Sequence, residues 1–290
     1  MAKTRLDLLL VTQGLAESRT KAQALIMAGL VYHGEQKLDK AGAEFSDEIE
    51  LTVRGKEHPW VSRGGMKLAK AIEHFKLDVK GAVAMDVGSS TGGFTDVLLT
   101  NGAEKVFAVD VGHGQLDVKL RNDPRVVVME ETNARTLTAE MVRGAEYMHM
   151  HEAGLPLPAE VAQLTVLKPS LALVGEAVAE DSPASPPEPM LDVIVCDASF
   201  ISLKKVLAAA LTLAKPKAQL VTLIKPQFEV GKAEVSRGKG VIRDPKLHQQ
   251  VCEDIAAWVG SCGWNVIGIT PSPITGPKGN VEFLLYAVKG

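Results

Sequence analysis

The sequence predicts an α/β protein: a Rossmann-like, mostly parallel seven-stranded sheet preceded by a small α+β module. Three observations carry this reading. From residue 63 onward, short apolar runs alternate with segments of helical period, as strands and crossover helices do. One apolar run, 82–87, leads through a glycine-rich turn straight into a helical pattern. The first 55 residues carry their own apolar periodicity and end at a break, 56–62, that contains Pro59.

In the first module, 5–13 reads as a helix with Leu6, Leu9 and Leu10 on one face, stopped by Gly14. Ser18 caps a second helix, 19–28, whose apolar face is Ala22, Leu25 and Ile26, and Gly29 ends it. A strand at 30–33, a turn through Gly34 and an alternating strand at 48–53 follow. Arg5, Arg19 and Lys21 sit near the helix starts, where they could face phosphates. On charge alone, a solvated polar face is the favoured reading.

Pro59 restricts His58 and bars a helix across the break. Beyond it, a helix at 66–75 turns Leu68, Ile72 and Phe75 inward and places Lys67 in its first turn, where the helix dipole disfavours a cation. Strands are expected at 82–87, 105–109, 126–130, 191–196, 218–224, 265–270 and 281–288, and further helices at 92–101, 136–143, 203–214 and 244–262. Apolar strands joined by short connections imply a parallel sheet buried on both faces, with the last strand returning antiparallel beside the sixth.

Residues 144–190 break this rhythm. They hold seven acids, one base and seven of the chain's 15 prolines, and so read as an acidic insertion, with 161–178 apolar enough for a covering helix. The insertion carries −6 of a net charge of −3, leaving a mildly basic body that permits RNA binding without demanding it. No apolar run approaches 18 residues and the start has no signal-peptide core, so no membrane span or export signal is expected. Cys196, Cys252 and Cys262 lack metal-ligand spacing and read as reduced thiols of a cytoplasmic protein, with no metal site.

The turn after the first large-domain strand runs Asp86, Val87, Gly88, Ser89, Ser90, Thr91, Gly92, Gly93, Phe94. It lacks the Lys-Ser/Thr of a phosphate-cradling loop and departs from Gly-x-Gly-x-x-Gly, which disfavours ATP and dinucleotides. Asp110 ends the next strand, where an acid grips ribose hydroxyls. A nucleoside without phosphates fits both features, and S-adenosylmethionine is such a cofactor. Asp197 and Lys225 follow the fourth and fifth strands, and Glu282 opens the last. If that strand is antiparallel, all three meet at the ligand-binding edge, within reach of Lys67. Two lysines beside two carboxylates suit methyl transfer to a hydroxyl: one lysine takes the proton once its pKa is lowered by burial and the second lysine, and the carboxylates balance charge.

Lys67, Asp197, Lys225 and Glu282 match the Lys-Asp-Lys-Glu tetrad of FtsJ-like ribose 2′-O-methyltransferases. The runs 62–68, 86–96, 196–203 and 224–229 are similar to those of the TlyA or haemolysin A family. The first module, with Arg5, Leu6 and Asp7, then Ser18, Arg19, Ala22, Leu25, Ile26 and Gly29, resembles the RNA-binding module of ribosomal protein S-four. The resemblance implies an RNA-binding module at 1–55, a linker at 56–62 and an S-adenosylmethionine-dependent methyltransferase domain at 63–290, acting on cytidine ribose in ribosomal RNA. It implies that Asp86 and 88–94 wrap the methionine part, Asp110 holds the ribose, Asn133 lies near the adenine and Asp197 touches the donor near its reacting end. Arg63, Arg237, Lys239 and Arg243 fall in segments similar to the substrate side. The insertion departs from the family pattern. A catalytically silent assembly factor and a base methyltransferase are the alternatives; the full tetrad disfavours the first, and the absence of an Asn-Pro-Pro-Tyr-like segment disfavours exocyclic-amine chemistry. The family's haemolysin label finds no spanning segment here.

Overall fold

The computed structural model describes residues 3–53, 58–158, 161 and 190–290. The chain divides into two compact units, Met1–Pro59 and Trp60–Gly290.

In the first unit, β1 (Lys3–Arg5) pairs antiparallel with β4 (Glu44–Ser46), while β2 (Val31–His33) lies between β3 (Gln36–Lys37) and β5 (Thr52–Val53). Helices α1 (Leu6–Thr12) and α2 (Arg19–Met27) supply Leu6, Leu9, Leu10, Ala22 and Ile26 to its core, and the Ser18 hydroxyl accepts from Lys21 N–H at 3.2 Å to cap α2. The strand expected at 48–53 shrinks to Thr52–Val53, because Ile49 N–H turns back onto Ser46 C=O. Its alternation is real but reflects burial of Ile49, Leu51 and Val53 against the core rather than a ladder. The pairing of β1 with β4 carries no sequence signal at that length.

The second unit is a three-layer sandwich. Its sheet runs β11 (Trp264–Pro271), β12 (Phe283–Lys289), β10 (Ala214–Ile224), β9 (Leu191–Cys196), β6 (Val83–Val87), β7 (Lys105–Val109), β8 (Val126–Met129). All pairs from β10 to β8 are parallel, and β12 is antiparallel to both neighbours. One face is covered by α3 (Gly64–Phe75), α4 (Gly93–Thr100) and α5 (Val118–Arg121), the other by α6 (Ala139–Glu152), α7 (Leu203–Val206), α8 (Ala208–Thr212) and α11 (Pro245–Ser261), giving two apolar clusters. Short helices α9 (Pro226–Glu229) and α10 (Lys232–Arg237) follow β10.

Several expected boundaries shift. Residues 144–152, expected to open the insertion, continue α6: Thr138 caps it, only Ala139 and Val142 are fully buried, and the polar remainder is held by His149 on Pro124 C=O and by Lys105 on Glu146. Apolar periodicity fades there while the helix persists. The helix expected at 203–214 divides into α7 and α8, and β10 begins at Ala214 rather than 218. Trp60 and Val61, expected in the linker, pack on the core beneath α3, and Val61 N–H donates to the buried Asp96 carboxylate at 2.9 Å. Residues 54–57 of the expected linker and 159–160 and 162–189 of the insertion, with its expected covering helix, lie outside the described residues.

Phe107 is 1% exposed on β7, between β6 and the edge strand β8. Phe107→Ala is expected to destabilise the second unit by about 3–5 kcal/mol, read as a lower urea midpoint with an unchanged slope.

Candidate active site

Parallel strands present their C-terminal ends at one edge, and the site is built there. Asp86 is the penultimate residue of β6, and Asp110, Asp197 and Lys225 directly follow β7, β9 and β10. Because β12 runs the other way, Ile224 lies opposite Phe283, which brings Glu282 beside Lys225. Lys67, the fourth residue of α3, reaches the same point.

The four side chains form one network, with Lys67, Lys225 and Glu282 buried and Asp197 partly exposed. Lys67 Nζ donates to Glu282 Oε2 at 2.8 Å and to Asp197 Oδ2 at 3.1 Å. Lys225 Nζ lies 2.6 Å from Asp197 Oδ1 and donates to Asp197 C=O at 3.0 Å and to Ser199 Oγ at 2.8 Å. Asp197 thus stands between two ammonium groups. Glu282 is 1% exposed, and a Cβ on Gly276 would fall 2.1 Å from its Oε1, so only glycine lets this loop close over the carboxylate.

A cavity of about 300 Å³ opens beside this network. Its walls include Arg63, Lys67, Asp86, Gly88, Ser89, Ser90, Thr91, Gly93, Phe94, Asp197, Lys225 and Glu282, so most of the sequence-selected residues are brought together. Gly92 is not among them: it adopts φ +92° before α4, and a Cβ there would meet Leu120 in the core. Gly88, at φ +81°, lets the turn approach Ala198, whose Cα would lie 2.9 Å from an added Cβ. A second cavity of about 470 Å³ adjoins the first through Gly88, Ser90, Asp197 and Ser199, and is lined by Asp110 and Asn133. Asp110 accepts from Ser90 N–H at 2.8 Å and Gly112 N–H at 2.7 Å, which fixes its carboxylate at the cavity wall.

Asp86 is the unusual group. Its Oδ2 accepts from Thr95 N–H and Oγ1, but its Oδ1 is buried with no partner among the described residues. Burial pushes its pKa up to about 7, partly offset by the Thr95 hydrogen bonds. An orphaned acceptor in the cavity wall fits a cationic ligand group.

Arg237, Lys239 and Arg243 are exposed on the segment after α9 and line neither cavity; Arg5, Arg19 and Lys21 belong to the first unit. Arg5 and Arg19, read as a solvated polar face that could meet phosphates, are tied to the buried Asp7 carboxylate. Sequence reasoning missed Ser199, Gln115 and Phe200. Phe200, at φ +66° and 89% exposed, lies 5.2 Å from Phe228 between ring centroids, above a third hollow of about 730 Å³ lined also by Arg135 and Lys205. The only sequence signal was a bulky aromatic placed three residues after a strand-end acid.

Family models match most of the chain: FtsJ-like methyltransferase over residues 60–289 and S4 domain over residues 4–46. The chain is 41% identical over 285 residues to the 16S/23S rRNA (cytidine-2′-O)-methyltransferase TlyA of Mycobacterium tuberculosis, covering 98% of this chain and 89% of that one. It is 36% identical over 286 residues to Hemolysin A of Brachyspira hyodysenteriae, covering 98% and 99%. Among solved structures, a haemolysin candidate from Streptococcus thermophilus superposes with a TM-score of 0.64 at 36% identity, covering 100% of this chain and 89% of that one. No helix of the described residues is long and apolar enough to cross a membrane.

The raised Asp86 pKa has a stability consequence. The folded state holds this proton more tightly than the unfolded chain, so the associated stability is full below about pH 4 and is lost as pH rises through about 7. Asp86→Asn removes the buried charge. Thermal melts of the ligand-free protein should therefore show the variant gaining on the parent between pH 5 and pH 8; a pH-independent gap would contradict the assignment.

Proposed function

The chain belongs to the TlyA family of FtsJ-like rRNA methyltransferases, and from that premise we propose that it transfers a methyl group from S-adenosylmethionine to a ribose 2′-hydroxyl of ribosomal RNA, with cytidine as the target. The observation that carries this reading is the meeting of Lys67, Asp197, Lys225 and Glu282 on the wall of a cavity continuous with the one that holds Asp110.

Each residue has a task in this proposal. The partnerless Asp86 oxygen takes the ammonium of the methionine part, and the turn leading into α4 borders its carboxylate. Asp110 keeps lone pairs for the ribose hydroxyls while two backbone N–H groups hold it in place, and Asn133 borders the adenine end. When bound, S-adenosylmethionine supplies an electrophilic methyl on a sulfonium. Lys225 is the general base. Its Nζ is held by Asp197 Oδ1, Asp197 C=O and Ser199 Oγ at the cavity wall, where it takes the proton of the acceptor hydroxyl. Lys67 holds Asp197 and Glu282 and keeps the network oriented. Most of the acceleration comes from lining up hydroxyl and methyl. Arg63 at the cavity and Arg237, Lys239 and Arg243 beyond it hold RNA phosphates, the exposed Phe200 offers a face on which a base can stack, and the first unit adds affinity for structured RNA through Arg5, Arg19 and Lys21.

Two measurements test this. Asp110→Ala should weaken S-adenosylmethionine binding in calorimetry at least tenfold, about 1.4 kcal/mol or more, in a protein that still melts cooperatively; unchanged affinity would remove Asp110 from the site. Lys225→Ala and Lys225→Arg should both abolish single-turnover methyl transfer to unmodified ribosomal subunits while leaving cofactor affinity within about threefold, because guanidinium does not release its proton at usable pH. A Lys225→Arg rate near the parent's would reduce Lys225 to electrostatic positioning.

A further inference from the structure

Asp7 is the fully buried carboxylate of the first unit, at 0% exposure in a core otherwise made of Leu, Ile, Val and Ala. A buried carboxylate survives only if its oxygens are satisfied. Four side-chain donors do this. Arg5 donates from Nε to Oδ1 and from Nη2 to Oδ2, both at 3.1 Å; Arg19 Nε and Gln23 Nε2 each reach Oδ2 at 2.9 Å. The Arg5 hydrogen bonds, with help from Gln23 and Arg19, hold the carboxyl well below the usual carboxylate range, so it is ionised at any working pH.

The geometry of what remains is informative. Arg5 spends Nε and one hydrogen of Nη2, leaving Nη1 untouched, and its guanidinium rests on Gly42, where an added Cβ would lie 3.4 Å from Nη1. Arg19 spends only Nε, leaving both Nη groups. The two side chains are 41% and 52% exposed, and each guanidinium is anchored to Asp7 with nitrogens left over. A solvated arginine loses about 2 kcal/mol of rotamer freedom when a ligand immobilises it; one already anchored loses less.

We propose that Asp7 is a positioning residue for RNA: its carboxylate holds the Arg5 and Arg19 guanidiniums as a preset pair whose free N–H groups take backbone phosphate oxygens. The proposal rests on the reading of the first unit as RNA-binding. It has a sign that plain electrostatics lacks. Asp7→Asn adds one positive charge to the unit, so a charge-only model expects tighter RNA binding and a steeper salt dependence. Positioning expects the opposite.

The test is binding of the full-length protein to ribosomal RNA over a series of salt concentrations. Asp7→Asn should weaken binding about tenfold and reduce the salt slope by about one, with S-adenosylmethionine affinity unchanged. Affinity equal to or above the parent's would overturn the proposal. If Asp7→Asn fails to fold, Arg19→Lys decides: it conserves charge but cannot both anchor through Nε and extend two further nitrogens, so it should lose several-fold affinity, and parent-like binding would overturn the proposal. Arg5→Ala and Arg19→Ala separate the two levels. If neither weakens binding, the RNA reading of this unit fails; if they weaken it while Asp7→Asn does not, only the positioning proposal fails.

Discussion

The second unit depends on one electrostatic arrangement, Asp197 held between two ammonium groups with Glu282 completing the balance. Its members come from α3, the ends of β9 and β10, and the start of β12, and no two are within 25 residues of each other. Taking these charges out of water is costly, and the arrangement persists because each has an opposite charge within hydrogen-bonding distance. Removing one member would strand a buried charge, at a cost of about 3–5 kcal/mol. The network therefore constrains the fold and the site together: α3 must sit over the sheet edge, and β12 must enter antiparallel, or the charges are not paired.

Around this network, polar side chains tie each strand-end loop to its neighbour. Glu229 accepts from Ser202 Oγ and Leu203 N–H, joining the loop after β9 to α9. Asn280 accepts from Ile242 N–H and donates to Gly240 C=O, joining the segment before β12 to the one after α10. Glu130 accepts from Gly114, Gln115 and Leu116 N–H and from Arg121, fastening the loop after Asp110, and these bonds hold its pKa down to about 2. Loops stitched in this way keep the strand-end side chains in register. Asp86 and Glu282 differ: each keeps one buried carboxylate oxygen without a partner among the described residues, and both line the cavity.

A similar logic operates in the first unit at smaller scale. Its core is too small to exclude a carboxylate cheaply, yet Asp7 is buried with two arginines on it. The charge of the acid is spent on holding cations at the surface. Counting positive residues misses this, because where the guanidinium nitrogens point depends on the carboxylate that holds them.

The sequence by itself determined the order and type of the large elements, because strands buried on both faces are apolar throughout and helices repeat at 3.6 residues; β6, β7, β9, β12 and α11 all lie within a few residues of expectation. It also singled out Asp197, Lys225 and Glu282 at strand ends, which the fold brings together with Lys67, since a polar side chain directly after an apolar strand has few structural reasons to be there. Tertiary structure alone decided the rest. The polar half of α6 is held by His149 and Lys105 rather than by an apolar stripe, so periodicity could not show it. The strand expected at 48–53 alternates because it is half-buried, and only pairing partners distinguish that from a ladder. Which carboxylate each lysine takes, the orphaned oxygen of Asp86, and the anchoring of Arg5 and Arg19 on Asp7 depend on distances between residues remote in the chain. Those distances are set by packing and register, to which a linear pattern of residue types is blind.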